Sequence, residues 1–286
     1  MQETNSHTTS KGYALVVIAI IFFAFFGYQA YLNFFVYTED NPTRHDLRIL
    51  DDAEDGQAHA QYIMGVYRTT GRQGIERDFV KARRWFEASA AQGYSPAQFR
   101  LGDLYRHGKG VEKNLDEAVR LFRLAAEAGN IPAQNALGDL YFRGEGVELS
   151  VETALKHYRQ AAESGLARAQ RNMGIMAAGG HGMDRDYAVA LAWYMKAAEQ
   201  SDGVAFCNLG IMYANGQGVE VDPLRAWDCF YTATLLQYKG AQNHRIRLEK
   251  TLPAEWHQKG LYERDGIDCL SGSAKRIMRP VSRVRE

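Results

Sequence analysis

Self-similarity at a fixed period is the strongest constraint on this chain: aligned against itself, the 286-residue sequence repeats every 36 residues. Periods of this length belong to solenoids, in which one supersecondary unit cannot bury its apolar face alone and does so by stacking on its neighbours. The segments AQYIMG (60–65), AQFRLG (97–102), AQNALG (133–138), AQRNMG (169–174) and AFCNLG (205–210) place Gly65, Gly102, Gly138, Gly174 and Gly210 at intervals of 37, 36, 36 and 36. A sixth start follows at Ala241-Gln242. A glycine turn comes after each segment: Gly108/Gly110, Gly144/Gly146, Gly180/Gly182 and Gly216/Gly218, with one extra residue in the first copy at Gly71/Gly74.

Next in register stand Asp78, Asn114, Ser150, Asp186 and Asp222. Each has a side-chain oxygen that can accept from the orphan N–H groups of a starting helix, so this column reads as N-caps. Pro223, directly after Asp222, suits the first helical position, where a missing N–H costs nothing. The second helix carries Ala82, Ala118, Ala154, Ala190 and Ala226, with Phe86, Phe122, Tyr158, Tyr194 and Phe230 four places on, hence on the same face. Small residues let helices approach, so Gly102 and Ala118 read as contact points inside a hairpin, where added bulk would cost about 1–3 kcal/mol. Gly93, Gly129 and Gly165 stop the second helix as residues free to take positive φ. Ser201 and Gln237 replace glycine in the last two copies, and those junctions are expected to bend differently.

Ahead of the repeats, Gly12 to Tyr37 reads GYALVVIAIIFFAFFGYQAYLNFFVY, without a charge. A helix needs about 20 such residues to cross roughly 30 Å of hydrocarbon, so 12–37 is expected to be a transmembrane helix. The competing reading is a cleaved signal peptide, but Ala24 to Ala30 contains no small-x-small triplet for a peptidase to cut after. Lys11 precedes the span and Glu39 and Asp40 follow it, a slight bias that leaves the polar leader 1–11 in the cytoplasm and the repeats outside it. Overall charge is balanced, 34 basic against 34 acidic residues, which gives no reason to expect nucleic acid. Locally, 39–55 carries seven carboxylates against two arginines, while 271–286 carries five basic residues against one acidic. The remaining organisation reads as an acidic neck and capping half-repeat (38–56), five repeats (57–240), C-terminal capping helices (241–265) and a basic, solvated tail (266–286).

The pattern AQxxLGxxYxxGxGV followed by a capped helix ending AAExG, clearest in IPAQNALGDLYFRGEGV and ALKHYRQAAESG, resembles the Sel-1-like repeat (SLR) family, a relative of the tetratricopeptide repeat. The likeness covers residues 45 to about 260, with several columns matching at once in five copies. It implies an all-α fold, a right-handed α-solenoid of antiparallel helix pairs, here preceded by one transmembrane helix. It also implies adaptor roles in multiprotein complexes: envelope, secretion and polysaccharide export in bacteria, membrane-associated protein degradation in eukaryotes. By the same resemblance, partner segments bind a concave face lined by first-helix positions three before and one, four and five after the repeat glycine. Those positions hold Tyr62, Phe99, Asn135 and Arg171, then Val66, Asp103, Asp139 and Ile175, then Arg106, His107 and Arg143. Aromatics there suit an apolar anchor and the arginines suit carboxylates. The plainer reading is a solvated face on which Asp103 and Asp139 neutralise neighbouring arginines.

Catalysis and cofactors find little purchase. No SxxK, GxSxG, HExxH or Walker loop occurs, and His107, His157 and His181 fall at different places within the repeat with no close second ligand, so neither a metal nor another cofactor is expected. Cys207 and Cys229 lie in facing helices of the fifth repeat and are expected as a free, half-buried pair, with a disulfide between them as the alternative; Cys269 falls in the tail. The reading favoured is a single-pass inner-membrane protein whose periplasmic repeats scaffold protein partners, membrane-embedded subunits of an envelope complex among them. The alternatives are an envelope enzyme or substrate-binding protein of peptidoglycan or polysaccharide metabolism, and a cytoplasm-facing signalling or degradation adaptor.

Overall fold

A computed structural model describes residues 44–72, 74–252 and 269–270. The segment 12–37, expected to cross a membrane, and most of the basic tail lie outside the described residues. Among the described residues the chain is all-α, and no helix is long and apolar enough to span a bilayer. The helices are α1 (Arg44–Glu54), α2 (Ala58–Thr70), α3 (Phe79–Ala91), α4 (Ser95–His107), α5 (Leu115–Glu127), α6 (Ile131–Arg143), α7 (Val151–Glu163), α8 (Ala167–Gly179), α9 (Tyr187–Glu199), α10 (Gly203–Asn215), α11 (Pro223–Leu235) and α12 (Lys239–Glu249). From α2 to α11 every helix is 13 residues long. The repeat fixes length because a residue in the left-handed conformation stands at regular spacing just past the end of each of these helices.

Those signals are local and act as the sequence implies. Asp78, Ser150, Asp186 and Asp222 accept from the N–H groups of Lys81, Thr153, Val189 and Arg225 at 2.9–3.2 Å, and so cap α3, α7, α9 and α11. First helices end on Gly108, Gly144, Gly180 and Gly216, each with φ between 66° and 70°. At the far end of the second helices the expectation of altered junctions fails: Ser201 (φ 64°) and Gln237 (φ 62°) take the same left-handed conformation as Gly93, Gly129 and Gly165. Packing of the next first helix imposes the turn, and the side chains tolerate it at about 1–2 kcal/mol each.

The chain divides into one unit ending at Asn114 and another beginning at Leu115. In the first, each of α1 to α4 packs on its sequence neighbour, around Ala53, Ala60, Met64 and Ile75. Asp46, 1% exposed, is held by Arg72 (3.1 Å), whose guanidinium also lies 4.7 Å from the ring of Tyr67, so the start of the array is pinned to the first glycine turn. Burial pushes the Tyr67 hydroxyl pKa up, partly opposed by Arg72.

In the second unit α5 to α12 again pack in sequence order. Within its hairpins the repeat glycine receives the ring of the second helix: a Cβ on Gly138 would lie 2.6 Å from Tyr158, and one on Gly210 2.6 Å from Phe230. Of the cysteine pair expected to be free, one member is bonded. Cys229 is disulfide-bonded to Cys269, 40 residues on, and Cys207 is free and buried. The reason is that the tail, expected to be solvated, returns at residues 269–270 to lie on α11, where the Cys269 N–H donates to Asp228 Oδ2 (2.9 Å) and Leu270 is 2% exposed.

Candidate partner-binding face

The buried glutamine of each AQ motif positions the first helices. Gln61, Gln98, Gln134 and Gln170 each donate from Nε2 to the carbonyl eight residues back, in Ala53, Ala90, Ala126 and Ala162 (3.2–3.5 Å). Those carbonyls belong to the last turn of the preceding helix, where each also accepts from the N–H of the following turn glycine (2.9–3.1 Å), and the glutamine ties that helix end to the next first helix. The Oε1 atoms of Gln61, Gln134 and Gln170 accept from Gln92, the Nδ1–H of His157 and Gln200 at 2.8–2.9 Å. Burial, with the Arg123 cation adding to it, lowers the pKa of His157.

In the first unit the expected face is half-open. Tyr62 is partly buried, its ring 6.0 Å from Phe86 and 5.5 Å from Tyr94. Sequence reasoning missed Tyr94 and His59, whose Nδ1 is 2.9 Å from the Tyr94 hydroxyl; together with Tyr62 they make a surface aromatic group. Phe99 is partly buried, with Arg100 at 6.0 Å from its ring. Asp103 and Arg106 are partly exposed, and exposed His107 donates from Nδ1 to the Asp103 carbonyl (2.9 Å) at the end of α4.

In the second unit the expectation is corrected at several positions. Asn135 is 3% exposed, not open to a partner: its Oδ1 accepts from Asn172 of the next first helix at 3.1 Å. Asp139 accepts from the Tyr158 hydroxyl (2.8 Å) and from Asn172 (3.4 Å). Arg171 is bound to Asp202 at 2.7 Å with both side chains largely buried (18% and 11% exposed), and Asp202 caps α10 through Ala205 N–H at 2.8 Å. The bonds of Asn172 to Asn135 and Asp139 join one repeat to the next, and each of these side chains already has a partner within the array. Arg143, 63% exposed with Glu145 at 3.6 Å, remains at the surface. The counting rule placed these residues correctly in register but could not see Asn172 reaching Asn135 from the following copy, or Asp202 reaching Arg171 from the junction at the end of its own.

The turn of the fifth repeat also forms a cavity of about 450 Å³ lined by Tyr213 and residues 219–225, where Arg225 stacks 5.1 Å from the Tyr213 ring and lies 3.6 Å from Asp222. Among the described residues no group of three or more His, Cys, Asp or Glu side chains could hold a metal ion.

The family model for the Sel1 repeat matches residues 58–94, 95–130, 131–166, 167–202 and 205–238. The chain belongs to the Sel1 repeat family. Proteins of this family typically serve as protein–protein interaction scaffolds. Among solved structures, the chain is similar to a protective antigen of uropathogenic Escherichia coli strains displaying an SLR fold (TM-score 0.64, 33% identity, 72% of this chain and 44% of that one). It is also similar to a Sel1 repeat protein from Oxalobacter formigenes (TM-score 0.61, 28% identity, 80% of this chain and 93% of that one). A 64-residue stretch, 22% of this chain, is 34% identical to HRD3A, an ERAD-associated E3 ubiquitin-protein ligase component of Arabidopsis thaliana. The chain spans 9% of the length of that relative and under half the length of the antigen.

Proposed function

We propose that the chain is a membrane-anchored scaffold of the cell envelope, which holds segments of partner proteins on the first-helix face of its repeats. The observation that carries this reading is the combination of five Sel1 repeats with an uncharged 26-residue segment, 12–37, that lies a short acidic stretch ahead of them. A tether of that kind confines the array to one membrane surface, so membrane-embedded subunits beside the anchor are the partners it meets most often. The Cys229–Cys269 pair supports placing the repeats on an oxidising, extracytoplasmic side, because protein disulfides persist there and are reduced in the cytosol. Of the first-helix positions, Tyr62, Phe99, Arg106 and His107 in the first unit and Arg143 in the second are the partner-binding residues, whereas Asn135, Asp139 and Arg171 position neighbouring repeats.

Crosslinking in membranes, with identification of what is captured, tests the reading. Arg106→Glu with Arg143→Glu should release the crosslinked proteins while the helical content stays unchanged; an identical set of partners would rule out this face. A reporter fused after Glu286 that is active only in the cytoplasm would overturn the extracytoplasmic placement. In that event the likeness to HRD3A, short as it is, favours an adaptor of a membrane-associated degradation complex.

A further inference from the structure

The three cysteines of this chain lie at one end of the array and are treated in opposite ways. Cys229, 0% exposed on α11, and Cys269, 1% exposed in the returning tail, are joined. Cys207, 3% exposed on α10, is free, and burial pushes its thiol pKa up to about 11, which keeps it protonated and unreactive toward the bond. The returning segment does more than carry a sulfur. Cys269 and Leu270 enter the same apolar cluster as Phe206, Phe230 and Ala233, and the Cys269 N–H is satisfied by Asp228.

What this segment joins needs fastening. Here α12 is 11 residues long with Ala241 as its one buried residue, and it is held to α11 by side-chain contacts: Trp227 Nε1 donates to Glu249 (2.8 Å), the Arg245 guanidinium lies 6.0 Å from the Tyr231 ring, and His244 stacks on Phe230 (5.3 Å). Sparse burial of this kind opens at low free-energy cost.

We propose that residues 269–270 form a covalently fastened C-terminal cap, closed by oxidation of Cys229 and Cys269, so that the last repeat completes its fold only in an oxidising compartment. The chemistry is thiol–disulfide exchange with a disulfide-bearing oxidant protein. One thiolate attacks the oxidant's disulfide to give a mixed disulfide, the second displaces it, and the two protons and two electrons lost by Cys229 and Cys269 leave the oxidant as a dithiol. The proposal concerns this end of the array and stands whether or not the first-helix face holds a partner.

The test uses the full chain in its native membrane. Free thiols are first trapped with N-ethylmaleimide in intact cells, and peptides are then mapped without reduction. A linked peptide pair containing Cys229 and Cys269, with Cys207 unlinked, is expected. Labelling of all three cysteines, or a link through Cys207, would overturn the proposal. Hydrogen exchange then reads the consequence. Treatment with a phosphine reductant should speed amide exchange across 223–252 by up to about 1,000-fold, the order expected when a loop of this length loses its closure, and leave 95–165 unchanged. Cys269→Ser should reproduce the reduced pattern without reductant. Unchanged exchange in both would show that the bond caps nothing.

Discussion

The second glycine of each turn offers the sharpest test of how the repeats are spaced. Gly110, Gly146, Gly182 and Gly218 each lie against the first residue of a second helix 31 positions earlier, namely Phe79, Leu115, Val151 and Tyr187. At Gly218 two separate demands coincide. Its φ is +71°, and a Cβ built there would stand 2.8 Å from Tyr187 Cβ, 2.9 Å from its carbonyl carbon and 3.0 Å from its carbonyl oxygen. Two of those atoms are backbone in the first turn of a helix capped by Asp186, so they cannot rotate aside. Gly218→Ala should therefore cost about 1–2 kcal/mol for a left-handed L-residue plus about 1–3 kcal/mol for overpacking. Gly129 supplies the control, because its φ is +80° but nothing lies within 4 Å of a Cβ. Gly129→Ala should cost the conformational part alone, about 1–2 kcal/mol. Stacked repeats need not unfold as one unit, so local opening free energies from hydrogen exchange are the proper assay, read at the first turn of α9 and at 216–218 for one variant and across 127–133 for the other. If the two variants agreed to within about 0.5 kcal/mol, the close approach between repeats would contribute nothing and the reasoning would fail.

Other expectations follow from the same geometry. Ser201→Gly and Gln237→Gly should each stabilise the array, by about 1 kcal/mol, since both positions are held at positive φ by residues that disfavour it; a lowered urea midpoint would contradict this. Arg171→Ala should destabilise the α8–α10 region by about 2–3 kcal/mol, by leaving the largely buried Asp202 carboxylate without its cation. Arg143→Glu, at an exposed position, should leave stability within about 0.5 kcal/mol while altering partner capture; equal unfolding midpoints for the two would refute the division between positioning and binding residues. His157, its pKa lowered by burial, stays neutral in the folded state where the unfolded chain takes up a proton, so stability should fall as pH drops below 6.5, toward the folded pKa. His157→Gln should flatten that part of the pH–stability curve, as followed by circular dichroism.

The candidate site was legible in register but not in accessibility. Asn135 and Arg171 occupy the same column as Tyr62 and Phe99, and nothing in their own repeats separates them. What separates them is the identity of single residues 31 to 37 positions on: Asn172 reaches Asn135, and Asp202 reaches Arg171. Tyr158 differs from Phe86 by one oxygen, and that oxygen is what engages Asp139.

The sequence by itself determined the all-α class, the 36-residue unit, the caps and the glycine turns, because each depends on backbone torsions and on neighbours three or four residues away, and such signals are written into every copy. Tertiary structure decided which surface positions stay open, that Ser201 and Gln237 must adopt a glycine-like conformation, that the second turn glycine touches the helix start 31 residues before it, and that Cys229 meets Cys269 in preference to Cys207. Those outcomes rest on how one repeat lies on the next and on where the chain returns after its last helix, distances that a periodic pattern cannot encode.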